Sequence, residues 1–295
     1  MIEGGKMVKI IVDSTCDLPD ELMREYDIKS IPLRVSLGDK EYLDKVEVQV
    51  DQVYEAMRNG IVPKTSQPRP IDIYNVFKQY CSSGYDFIYL SFSSKLSGTY
   101  QLASAVLKEL KEQFGNAGMK IVDSEGGSTA TGLIALQAAK LAKAGRSFET
   151  VAGQLGQLVQ HVEHIFTIAD LSWLIKGGRI SKAEGIIGNM LNIKPILHVN
   201  KGIIEVMQKV RGRKKSLQTI VDILEEKAIN FPEQIIGISH TDDLETALEL
   251  EKMIKERLGE RKTMINKIGS VLGSHLGIGG VGVFFFNERP ELYME

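Results

Sequence analysis

Cysteine is scarce in this sequence: Cys16 and Cys81 are the only two among 295 residues, too few for a disulfide framework or a thiolate metal cluster. That usage suits a reducing compartment, and the cytoplasm is the expected location. No stretch approaches eighteen consecutive apolar residues, so an ordinary membrane-spanning helix is not expected. The opening Met1-Ile2-Glu3-Gly4-Gly5-Lys6 has no apolar segment of the signal-peptide kind. An excess of either charge is also lacking, because 36 Lys and Arg face 38 Asp and Glu for a formal net charge of -2. Nothing global therefore attracts nucleic acid. Internal repeats, low-complexity tracts and Pro- or Ser-rich linkers are missing as well.

What is present is the composition of a globular chain, 43% hydrophobic and 25% charged, at a length that suits two domains. In the first half, short β-branched runs at 8–12, 87–91 and 119–123 each precede a helix-period segment, the pattern of a parallel sheet covered by helices. Residues 31–37 and 41–43 flank Gly38-Asp39-Lys40, a turn composition that predicts a small hairpin. Near 165–170 the pattern changes. Residues 193–199 and 203–208 are joined by Asn200-Lys201-Gly202, a signal for an antiparallel pair, and helices near 215–229 and 243–258 alternate with strands at 234–239, 263–267 and 281–286. The expected fold is α/β, with a Rossmann-like N-terminal domain (7–165) packed against an α+β C-terminal domain (166–295) and a cleft between them.

Three segments carry candidate chemistry. Leu90-Ser91-Phe92-Ser93-Ser94-Lys95-Leu96-Ser97-Gly98-Thr99-Tyr100 follows a predicted strand and opens a helix, the place where free N–H groups favour an anion. An isolated serine there is ordinarily a helix cap; the crowding of hydroxyls is what singles out Ser97. Lys64-Thr65-Ser66-Gln67-Pro68 is a second hydroxyl-rich loop before a helix, whose plain reading is a capping turn. The third runs from Ile268 to Gly282 and sets His275 among glycines that let backbone approach a ligand. A lone histidine is more often structural.

Together with Asp13-Ser14-Thr15-Cys16-Asp17-Leu18-Pro19, Gly177-Gly178-Arg179-Ile180-Ser181 and Lys194-Pro195-Ile196-Leu197, these segments resemble the DegV family, in order and nearly end to end. The resemblance implies the fatty-acid-binding subunit of a bacterial fatty acid kinase. Such a chain buries one long-chain fatty acid at the domain interface, performs no chemistry itself and needs no other cofactor. A separate kinase subunit phosphorylates the carboxylate. By motif position, Thr65, Ser97 and His275 match the family's carboxylate-holding trio, with Gly98 offering backbone beside Ser97. Arg179 and Arg211 match family arginines that contact the kinase, and both are expected to face outward. Ile278 departs from the proline or glutamine frequent at its place.

Physical argument agrees with that chemistry. A fatty acid asks for a few donors at one end of a hydrocarbon cavity. At about 0.8 kcal/mol per buried methylene, a sixteen-carbon tail gains on the order of 10 kcal/mol before binding costs. No arginine belongs to the trio, which suits a carboxylate that must stay nucleophilic. Ile31, Leu33 and Val35, alternating on one predicted strand, and Phe166, Ile168 and Leu197 are apolar candidates for the tail wall, though each reads more readily as ordinary core.

The competing functions are fewer. A serine-dependent lipid ester hydrolase would use Ser97 and His275, but no G-x-S-x-G elbow occurs. Gly277 to Gly282 fits G-x-G-x-x-G yet leads into an apolar strand, against dinucleotide binding. His161 and His164 lie three apart on a predicted helix without a third ligand, so no metal is expected. The basic run from Lys209 to Lys215 is compatible with a nonenzymatic anion-binding surface or transient membrane contact; it lacks the aromatics of a nucleic-acid site.

Overall fold

The four apolar residues among 8–12 leave the first strand no solvent face, which forces helices onto both sides of it. The computed structural model, which describes residues 7–115, 117–180 and 192–295, shows this arrangement. In chain order, β1 (Val8–Asp13), α1 (Asp20–Glu25), β2 (Lys29–Ile31), β3 (Arg34–Leu37), β4 (Lys40–Leu43), α2 (Val50–Arg58), β5 (Lys64–Ser66), α3 (Pro70–Ser82), β6 (Asp86–Ser91), α4 (Thr99–Gln113) and β7 (Met119–Asp123) lead to α5 (Ser128–Lys143) and α6 (Phe148–His161). There follow β8 (Val162–Thr167), α7 (Ser172–Gly177), β9 (Ile193–Asn200), β10 (Ile203–Arg211), α8 (Arg213–Lys227), β11 (Ile235–His240), α9 (Leu244–Leu258), β12 (Lys262–Lys267), α10 (Ser270–Leu276) and β13 (Val281–Phe286). None of these helices is long and apolar enough to cross a membrane.

Three sheets result. The first is wholly parallel, in the order β2-β1-β6-β7. The second is mixed, in the order β10-β9-β8-β13-β11-β12, with only β11 and β12 parallel. The third is a small antiparallel sheet, β4-β3-β5. Helix α5 lies between the two large sheets: thirteen of its sixteen residues are buried, and its core cluster joins Ile10 and Val12 of β1 to Phe284 and Phe286 of β13. A helix so placed has no polar stripe. Strand β8 pairs with β13 over its whole length, so the division expected between 165 and 166 falls inside it.

Two sequence expectations change here. The strand read over 31–37 is two strands. Pro32 lacks the N–H a ladder needs, and the chain passes there from the parallel sheet to the hairpin sheet, the Leu33 N–H donating to Ser14 Oγ (3.1 Å). The helix read through His161 and His164 ends at His161, because Val162-Glu163-His164-Ile165-Phe166-Thr167 is β-forming composition. His164 is buried in β8 instead of facing solvent. The β9–β10 hairpin forms as expected on Lys201 and Gly202, both with positive φ. Its tip docks on the other half of the molecule, where Ser93 Oγ donates to the Gly202 carbonyl (2.8 Å).

Candidate functional site

Thr65 lies on β5, opposite Val35 of β3. Three polar residues, Lys-Thr-Ser, carry little strand signal of their own. Pairing with β3 extends them, so the segment is a strand and not the loop expected. From there the Thr65 hydroxyl stands 2.7 Å from Nε2 of His275.

His275 reaches that position on α10, a helix the glycine content of its segment concealed. Two contacts build it. The Gly269 N–H at its start donates to the buried Asp17 carboxylate (2.9 Å), a favourable charge for a helix N-terminus. The Tyr54 hydroxyl donates to the Ile268 carbonyl (2.8 Å), and a Cβ at Gly273 would collide with that ring. The glycines expected to admit a ligand to the backbone thus mainly admit side chains, Tyr54 at Gly273 and Trp173 at Gly277. Gly177 is needed for the same reason, since a Cβ there would strike the His275 ring.

Ser97 closes the turn before α4. Its Oγ accepts the Thr99 N–H (3.3 Å) and lies 2.9 Å from the Thr99 hydroxyl. It therefore satisfies the first N–H of α4 from the position before the N-cap residue Gly98, and it also lines the cavity described next. Gly98 lies outside that lining; a Cβ on it would stand 2.8 Å from Gln67 Oε1, so it makes room for a side chain.

Thr65, Ser97 and His275 share one cavity, part of it open to solvent. Its walls come from strands of the mixed sheet and of the small antiparallel sheet, from the loop after β6, and from α7 and α10. Of the six apolar candidates, Leu33, Phe166 and Ile168 line it; Ile31, Val35 and Leu197 do not and lie in core clusters. Val199 and Ile204 of the β9–β10 hairpin, with Leu272 of α10, extend the hydrocarbon surface.

Arg179 corrects the sequence reading. It was expected to point outward, yet it lines the cavity, its Nη1 donating to the Gly177 carbonyl (2.5 Å) and its Nε to that of Leu96 (3.4 Å). Gly178, left-handed at φ 67°, ends α7 and turns the chain so that Arg179 folds back. Among the described lining residues it is the one full positive charge at neutral pH. Burial first, and then this guanidinium, push His275 down to about 4, leaving its imidazole neutral at pH 7. Arg211, at the end of β10, is exposed. Arg213 of the same basic run pairs with Asp243 (2.9 Å). Among the described residues no group of three or more His, Cys, Asp or Glu is placed to hold a metal.

His164 also lines the cavity, a residue sequence reasoning assigned elsewhere. Its signal was a histidine beside Glu163 in a β-forming run, visible only once the helix end at His161 is known.

The DegV family model matches residues 7–288. A DegV domain-containing protein of Clostridium perfringens is 36% identical over 289 residues, covering 97% of this chain and 99% of the relative. A fatty acid-binding protein of Thermotoga maritima is 34% identical over 285 residues, covering 93% of this chain and 96% of that one. Among solved structures, a fatty-acid-binding DegV family protein from Thermus thermophilus superposes with a TM-score of 0.87 at 29% identity, covering 95% of this chain and 99% of the other. A stearic acid-binding protein from Eubacterium ventriosum superposes at 0.86 with 28% identity, covering 94% and 97%. Sequence motifs, sheet order and these likenesses coincide over nearly the whole length, and the chain belongs to the DegV family.

Proposed function

We propose that this chain is a carrier that buries one long-chain fatty acid in the cavity and presents its carboxylate to a separate fatty acid kinase subunit in the cytoplasm, catalysing nothing itself. The observation that carries the reading is the contrast within one cavity, with Thr65, His275 and Arg179 together and a wall otherwise dominated by Leu, Ile, Val and Phe. Hydroxyl and imidazole donors fix a carboxylate, and the guanidinium offsets its charge. The tail supplies most of the affinity through its buried methylenes. Relatives bearing stearic acid and other fatty acids support the assignment. The hydrolase alternative is weaker, because Ser97 bonds Thr99 and no hydrogen bond joins it to a histidine, which would be needed to activate it.

Mass spectrometry of lipid extracted from the purified protein is expected to find about one equivalent of fatty acid. Thr65→Val is expected to weaken binding by about 0.5–1.5 kcal/mol, or up to about 3 if the hydroxyl bonds the charged carboxylate. Turnover of a lipid ester without retained fatty acid would move the assignment to a hydrolase.

A further inference from the structure

A polar residue of the cavity wall besides Thr65, Ser97, His275 and Arg179 does not match a plain hydrocarbon tail. His164, on β8, is 4% exposed. Its Nε2 accepts the Gly127 N–H (3.4 Å), which puts the ring proton on Nδ1. Nδ1 is buried and has no partner among the described residues.

Such a donor is costly to leave unmade, and a phenylalanine or leucine would fill the space without that penalty. The surroundings are nonetheless shaped around this ring. A Cβ at Gly126 would collide with it, and Phe284 meets it edge-on, with centroids 5.7 Å apart and an interplanar angle of 80°. Burial pushes its pKa down to about 3, so the ring stays a neutral donor and does not become a second cation competing for the carboxylate.

We propose that His164 is a specificity-determining residue, presenting its Nδ1–H to an oxygen carried along the acyl chain, so that the cavity takes fatty acids bearing a hydroxyl or oxo group beyond the carboxylate. The inference rests on the carrier reading and names the substrate class of that site. In a wholly apolar cavity an in-chain hydroxyl loses its water and gains nothing. Here it accepts from His164.

The test is calorimetric titration of the lipid-stripped full-length protein with stearic acid and a positional series of hydroxystearic acids. At least one hydroxy isomer is expected to bind the wild type as tightly as stearic acid or more so. His164→Phe is expected to lose about threefold to tenfold in affinity for that isomer, with stearic acid unchanged or tighter. Because a buried substitution can impair folding, the wild type carries an independent readout. The His164 Nδ1–H resonance should shift on adding the preferred hydroxy acid, and not on adding stearic acid. Uniform rejection of every hydroxy isomer by a wild type that binds stearic acid overturns the inference, as does equal loss of both ligands in a folded variant. If no fatty acid binds at all, the carrier reading falls and takes this inference with it.

Discussion

His275 is held neutral by burial and by Arg179, and this gives the lipid-free protein a measurable acid sensitivity. Its folded pKa, about 4, lies below the ordinary 6.5, so below 6.5 the unfolded chain binds a proton that the folded one refuses. Stability from this residue is complete above about 6.5 and is lost as the pH falls toward 4, by about 3 kcal/mol at most. His164 acts in the same direction. Asp17 opposes them, since burial raises its carboxyl to about 6 and the folded state there holds the extra proton. The comparison with His275→Gln isolates one contribution: in urea titrations across this range the variant is expected to lose less stability on acidification than the wild type. Equal losses would mean that His275 does not titrate there. At this scale Thr65, Ser97 and His275 were singled out by motif positions resembling the DegV family, and the structure sets all three on one cavity. The inward course of Arg179 was not. It follows from the left-handed turn at Gly178, which a sequence offers as a possibility for any glycine.

Helix α5 is the element that other elements depend on. Wedged between two sheets, it has no face that tolerates a void. Ile134, fully buried in its main cluster, is expected on truncation to alanine to cost about 2–5 kcal/mol in denaturant unfolding. A loss below about 1 kcal/mol would mean that the sheets close over the gap. Elements with a strong period were legible, α5 and β13 among them, as was the β9–β10 turn. Those that tertiary contacts decide were not. β5 is a strand because β3 pairs with it, and α10 is a helix despite its glycines because Asp17 and Tyr54 hold its start. Both missed elements carry a site residue. Residues placed by short elements of weak intrinsic preference are read from the sequence as loop residues, whatever their role.

For the whole molecule, the expected pairing of a parallel-sheet half with an α+β half is the architecture observed. The sequence did not disclose how completely the two share a core: Phe284 and Phe286 pack with β1 and α5, and the hairpin tip at Gly202 rests on Ser93. Partner recognition belongs to this scale. Arg211 is exposed and remote in role from the cavity wall, so Arg211→Ala is expected to leave retained fatty acid unchanged while lowering acyl phosphate formation by a kinase subunit. Added salt should mimic part of the defect. Loss of lipid in the folded variant would assign Arg211 to the ligand site.

The Thr65–His275 pair spans 210 positions of the chain, and this separation bears on how the molecule is made. During synthesis the parallel sheet and α5 emerge from the ribosome long before α10, so for that interval Thr65 has no His275 imidazole to pair with. Closure of such a distant contact is slow compared with local structure. On the carrier reading, lipid loading is expected to follow completion of the chain, and a chain truncated before α10 is expected to retain less fatty acid by mass spectrometry of its extract.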